Sequence, residues 1–181
     1  QYNKAVEASN LQLENETKLY ATLRAQNFRD EQIQGLKDYA SELQKTGVIG
    51  DEVSLAGIRQ LASFKLNEES IKELLPQVQN LMVAEKGLKA TSMDAEKWSK
   101  SLGIAVTSGQ VRALKQAGIV LDEHTQKVFE NATQQERIAI LAKEIKERVG
   151  EQNAEFLKTP EGKIVSAQNR IGDIYEYIGG L

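Results

Sequence analysis

The chain has 181 residues, 40% hydrophobic and 27% charged, with a formal net charge of -3 and an isoelectric point near 5.4. That content is enough to bury a core, and the near balance of charge excludes a surface built to track nucleic-acid phosphates. With no Cys, disulfides, thiolate metal sites and thiol catalysis are excluded; the longest apolar runs, such as Leu81 to Ala84, fall far short of the ~20 residues of a membrane-spanning helix.

Ala, Leu, Glu, Lys and Gln dominate and only Pro76 and Pro160 interrupt, so the local preference is for helix nearly throughout. The chain starts at Gln1 without a basic-then-apolar leader and stops at Gly179, Gly180 and Leu181, which reads as an excised fragment. Residues 1–27 carry no Gly or Pro, and Tyr2, Val6, Leu13, Tyr20 and Leu23 fall at near-heptad spacing, with Ser9 and Glu16 interrupting the seam. This predicts a long helix with a patchy apolar stripe, set apart from the rest of the chain by a boundary near residue 29.

Asp30 is placed as an N-cap before Ile33, Leu36, Ala40 and Leu43, with Gly47 as a left-handed terminator. Asp51 is placed as the cap of a short helix through Val53, Leu55, Ile58 and Leu61. Asn67 with Glu68 and Glu69 starts another, through Ile71, Leu74, Leu75, Val78, Leu81 and Met82. Pro76 is expected to kink that helix or break it at Leu75.

Ser92 is expected to open a helix through Trp98 to Leu102, ended by Gly103, and Thr107 or Ser108 another, through Val111 and Leu114 to Gly118. Residues 103–106 and 118–121 could each be a short strand, since Ile and Val lie between turn residues. Asp122 begins a short helix. Thr133 with Glu136 forms a capping-box signature before Ile138, Leu141, Ile145 and Val149, closed by Gly150. After Pro160 and Gly162, the residues Ile164, Ala167, Ile171, Ile174 and Ile178 alternate steps of three and four, as an amphipathic helix requires. The fold expected is all-α: an extended N-terminal helix over residues 1–28 and a compact multi-helix domain over 29–181.

Chemistry is hard to find. His124 is the only histidine; Asp122 and Glu123 precede it, but Lys127 and Val128 stand where a helical metal site needs ligands. Gly162 and Lys163 touch a phosphate-loop pattern, yet Ile164 replaces its Ser or Thr and Leu157 its earlier Gly. Glu68 with Glu69 and Glu144 with Glu147 could be imagined as a glycosidase pair. They fall at helix starts or on polar faces, where Lys143 with Glu147 and Glu144 with Arg148 are ordinary four-apart pairs. Trp98, Phe28, Phe64, Phe129 and Phe156 are dispersed, as core residues are. No catalytic, cofactor-binding or metal-binding residue is assigned, and no cofactor is expected.

The stretch after Leu36, KDYASELQKTGVIGDEVSLAGIRQLASFKLNEESIKELLPQVQNLM, resembles the helical region of phage tail tape-measure proteins. So do SLGIAVTSGQVRALKQAGIVLDEHTQ, the Gln-Glu-Arg helix after it, and NRIGDIYEYIGGL, in order and spacing, so that the likeness spans roughly residues 30 to 180. The resemblance implies a structural, non-enzymatic component of the virion tail. It would be assembled in the host cytoplasm, with tube, initiator or chaperone proteins, or a second copy, as partners through helical packing, and no nucleic acid or membrane bound by this piece. Alternatives from other classes are a peptidoglycan-hydrolase accessory or enzyme domain and a helical cytoplasmic adaptor.

Overall fold

A computed structural model describes residues 2–181, with side chains from residue 3 onward; the Tyr2 side chain, first in the expected N-terminal seam, lies outside the described residues. Among the described residues there are ten α-helices and no strand. They are α1 (Tyr2–Ala25), α2 (Asp30–Lys45), α3 (Asp51–Ala62), α4 (Glu68–Lys86), α5 (Ser92–Ser108), α6 (Arg112–Gln116), α7 (Glu123–Asn131), α8 (Gln134–Val149), α9 (Gln152–Leu157) and α10 (Pro160–Gly179). The fold is a compact all-α domain. The two strand candidates are corrected: residues 103–106 lie within α5, and of 118–121 Gly118 is in a turn and the rest form an unpaired link that buries Ile119 and Leu121.

Several stop and start signals hold. Asn67 accepts from the Ser70 amide, Asp122 from the Thr125 amide, and Thr133 with Glu136 makes the capping box of α8. Others are displaced. Arg29 and Gly50, not Asp30 and Asp51, stand at the N-caps of α2 and α3, so the two acids occupy first turns, where they complement the helix dipole. Thr91, not Ser92, caps α5, which runs through Gly103 to Ser108 and ends at Gly109 with φ 76°. Gly103 is needed for another reason, because an added Cβ would strike the Phe64 ring. Gly47 likewise is not left-handed; its missing side chain leaves room for Asn153.

Pro76 breaks nothing: α4 continues from Glu68 to Lys86. The helix sits at the centre, against α2, α3, α5, α8 and α9, and that burial outweighs one lost backbone bond. Leu74, Leu75, Val78 and Met82 from it join Ile58 and Leu61 of α3, Trp98 and Leu102 of α5, Phe129 of α7 and Leu141 of α8 in one buried apolar cluster. Arg137 ties two helix ends to this core. Its guanidinium donates to the Phe129 and Glu130 carbonyls at 3.0 and 2.9 Å and to Val106 at 3.2 Å, the last turns of α7 and α5.

The expected division between 1–28 and 29–181 does not coincide with the packing. Leu19 and Leu23 of α1 are fully buried in the same cluster as α2 to α8. The inward positions of α1 are Ala5, Ser9, Gln12, Glu16, Leu19 and Leu23, at steps of four and three, while Leu13 of the expected seam is exposed. Ser9 and Glu16 therefore lie in the seam, because α1 packs along α10 and meets a polar face there.

Candidate functional site

That polar face belongs to α10, and it reverses the expected orientation of the helix. Its apolar stripe is turned outward, with Ile164 59%, Ile171 50%, Ile174 57% and Ile178 43% exposed. Gly162 and Ser166 are buried instead, Asn169 reaches the Val48 carbonyl, and Asp173 and Glu176 continue the same inward line at steps of three and four. The two helices run antiparallel: an added Cβ on Gly179 would strike the backbone of Ala5, near the opposite end of α1. Ala5, Ser9 and Gly179 allow that close approach because each is small.

Three carboxylates, one from the start of α3 and two from α10, converge beside α1. Oxygens of Asp51, Asp173 and Glu176 all lie within 4.8 Å of one another. Asp51 is placed by the turn before α3, and its backbone N–H donates to Gln44 Oε1 at 2.7 Å. Gln44 is buried, and its Nε2 donates to Asp173 Oδ2 at 2.5 Å. One amide therefore clasps both sides of the cluster. Asp51 Oδ1 is enclosed and has no hydrogen-bond partner. Gln12 Oε1 of α1 is a second enclosed acceptor without a donor, and it lines the same 230 Å³ cavity as Asp51.

The electrostatics arise from this crowding. Burial, then the neighbouring Glu52 carboxylate, pushes Asp51 up to about 6, against a lowering effect of the Glu52 backbone. Burial, then the charges of Asp51, Asp173, Glu52 and Glu16, pushes Glu176 up to about 8. Asp173 is raised by burial and by Asp51, against the lowering effect of Gln44. Lys37 is the cation drawn toward this face, and it pairs with Glu16 at 3.1 Å. Such an arrangement binds protons or a hard cation; it is not that of a carboxylate nucleophile, which must ionise freely.

The residues weighed from sequence lie elsewhere and apart. His124 is exposed near the start of α7, where Asp122 is occupied as the N-cap. Glu68 pairs with Lys72 at 2.9 Å, Glu144 with Arg148 at 3.7 Å, and Glu69 and Glu147 are exposed. The Gly162 amide donates to Thr159 Oγ1 at 2.9 Å, closing the cap of α10. A cleft of about 520 Å³ lies beside Pro76, Asn80, Lys146 and Asn153 and brings no carboxylate pair together. Sequence reasoning missed Asp173 and Glu176 as inward groups because each stands on what reads as the polar face of an amphipathic helix.

No protein-family model matches the chain, and no curated protein or solved structure is significantly similar to it.

Proposed function

We propose that this chain is a structural, non-enzymatic part of a phage tail, a locally folded region of a tape-measure protein acting in tail assembly and genome ejection. The observation that carries the reading is the ordered resemblance of the stretches after Leu36 and after Lys100; several of their glycines, though not Gly57 and Gly103 inside α3 and α5, fall at turns of the fold. The segment from Thr46 to Gly50 makes the α2–α3 connection, the Gly109 turn ends α5, and Gly118 leads into the link before α7. The antiparallel pairing of α1 with α10 closes a folded unit of the kind an elongated helical protein can carry. The outward stripe of α10 offers a helix-packing face, with Tyr177 71% exposed beside it; tail tube, initiator or chaperone proteins, or a second copy, are the partners in this reading. The site of action is the virion tail, reached from the host cytoplasm during assembly.

Deleting residues 30–180 in frame from the encoding phage or prophage tests this. The reading expects peptides of this chain in purified tails, and tails that are shortened or fail to assemble after the deletion. Absence of the chain from purified tails contradicts it, and clearing of cell walls by the pure domain would favour the hydrolase alternative.

A further inference from the structure

We propose that Asp51, Asp173 and Glu176 form a calcium site that fastens α10 across α1 and α3. The site is argued from its own geometry and stands whether or not the protein belongs to a tail.

Calcium takes oxygen ligands at about 2.3 to 2.6 Å, so oxygens on opposite sides of one ion are about 5 Å apart. The carboxylates, all within 4.8 Å, come from two elements far apart in the chain and match that span. Magnesium, at about 2.0 to 2.1 Å, demands strict octahedral geometry and dehydrates reluctantly, so calcium is the better match to three carboxylates brought together from separate helices. Water entering from the adjoining cavity would complete the coordination.

The second observation is the unpartnered oxygen. Asp51 is buried, and its Oδ1 has no donor; buried polar atoms are seldom left so. Gln12 lines a cavity together with Asp51, and its enclosed Oε1 is likewise without a donor. Its amide cannot simply turn over, because Nε2 donates to Glu16 at 3.0 Å. Two enclosed acceptors without donors call for a cation or its bound water.

The third observation is the reversed α10. The helix turns two carboxylates inward and its isoleucines outward, an arrangement that costs free energy unless the inward charges are compensated. The groups facing Asp173 and Glu176 do not supply that compensation. From α3 they meet Asp51 and Glu52 and from α1 Glu16, all acidic, while Lys37 of α2 is held by Glu16 and Gln44 is neutral. A divalent ion supplies the missing charge, and α10 then stays docked with its apolar stripe displayed.

Residues 1–181 would be titrated with calcium chloride by calorimetry and melted with calcium, magnesium or EDTA at pH 7.5 and pH 5. Calcium at about a hundredfold excess over its dissociation constant should raise Tm by roughly 5 to 10 °C at pH 7.5, magnesium by less, and neither at pH 5, where protons occupy the carboxylates. The Asp173→Asn, Glu176→Gln double variant should melt at or above the EDTA-treated wild type and ignore calcium. The single Glu176→Gln variant, which keeps two ligands, should bind calcium at least tenfold more weakly. Absence of calcium heat and shift in the wild type, with stability gained only by lowering pH, would mean that protons alone fill the cluster and would overturn the proposal. A calcium response unchanged in Glu176→Gln would overturn it too.

Discussion

The hydroxyl of Tyr39 on α2 donates to the Lys72 carbonyl of α4 at 2.9 Å, and this carbonyl is the one whose helical partner would have been the missing N–H of Pro76. A proline in mid-helix thus leaves an acceptor that a neighbouring helix satisfies. Tyr39 is correspondingly half-buried, and burial raises its hydroxyl pKa. Tyr39→Phe should cost about 1 to 3 kcal/mol in urea unfolding. In a Pro76→Ala background, where the carbonyl regains a helical donor, the same change should cost much less. Equal costs in both backgrounds would detach Tyr39 from the proline.

Asn153 joins the two halves of the chain through buried polar contacts. Its side-chain oxygen accepts from the Val48 amide at 2.7 Å, and its amide donates to Gln79, which donates to Ser54 at 2.6 Å. Asn153→Ala leaves these groups without partners and should cost about 1 to 3 kcal/mol for each one stranded. Gly47→Ala, whose Cβ would strike Asn153, should lower Tm by a comparable amount. A melt unaffected by either change would remove this network from the account of stability.

Leu141 is fully buried on α8 between Ile138 and Ile145. Leu141→Ala should cost about 2 to 5 kcal/mol through lost burial and a residual cavity, read from the shift in the urea midpoint at constant slope.

Without metal, stability should depend on pH in the direction set by the raised acids. Glu176 moves from an ordinary 4.5 to about 8 and Asp51 from 3.8 to about 6, so between those values the folded state holds protons that the unfolded chain releases. Their contribution is complete below the ordinary values and is lost as pH rises toward 8. Asp30 has the opposite sign, because its hydrogen bond from Arg24 holds it low; its contribution is lost on acidification. Unfolding in EDTA should therefore show a higher urea midpoint at pH 5 than at pH 8. A higher midpoint at pH 8 contradicts the inward placement of Glu176.

Local signals in the sequence located most helices. Asn67, Asp122, and Thr133 with Glu136 act on their own neighbours, so their caps could be read without the fold. Gly103 and Gly47 misled because a glycine can be required by close approach as well as by backbone conformation, and only the packed partner, Phe64 or Asn153, tells which. The face of α10 was beyond reach for a similar reason: periodicity reveals two stripes at helical spacing, and the usual rule buries the apolar one. Here Ser9, Gln12 and Glu16 across the interface select the other stripe. The convergence of Asp51 with Asp173 and Glu176 depends on that choice, so no spacing rule within one helix could disclose it.

The central structural claim is that α1 and α10 close one helical unit, with α1 contributing to its core. Thermal melts of residues 28–181 beside the full chain test this most directly. Removing Leu19 and Leu23 uncovers the core and deprives α10 of the helix it packs along, so the truncated chain should melt lower by more than about 10 °C or fail to fold. A truncated chain with the Tm of the full one would contradict the claim and make α1 a separable appendage.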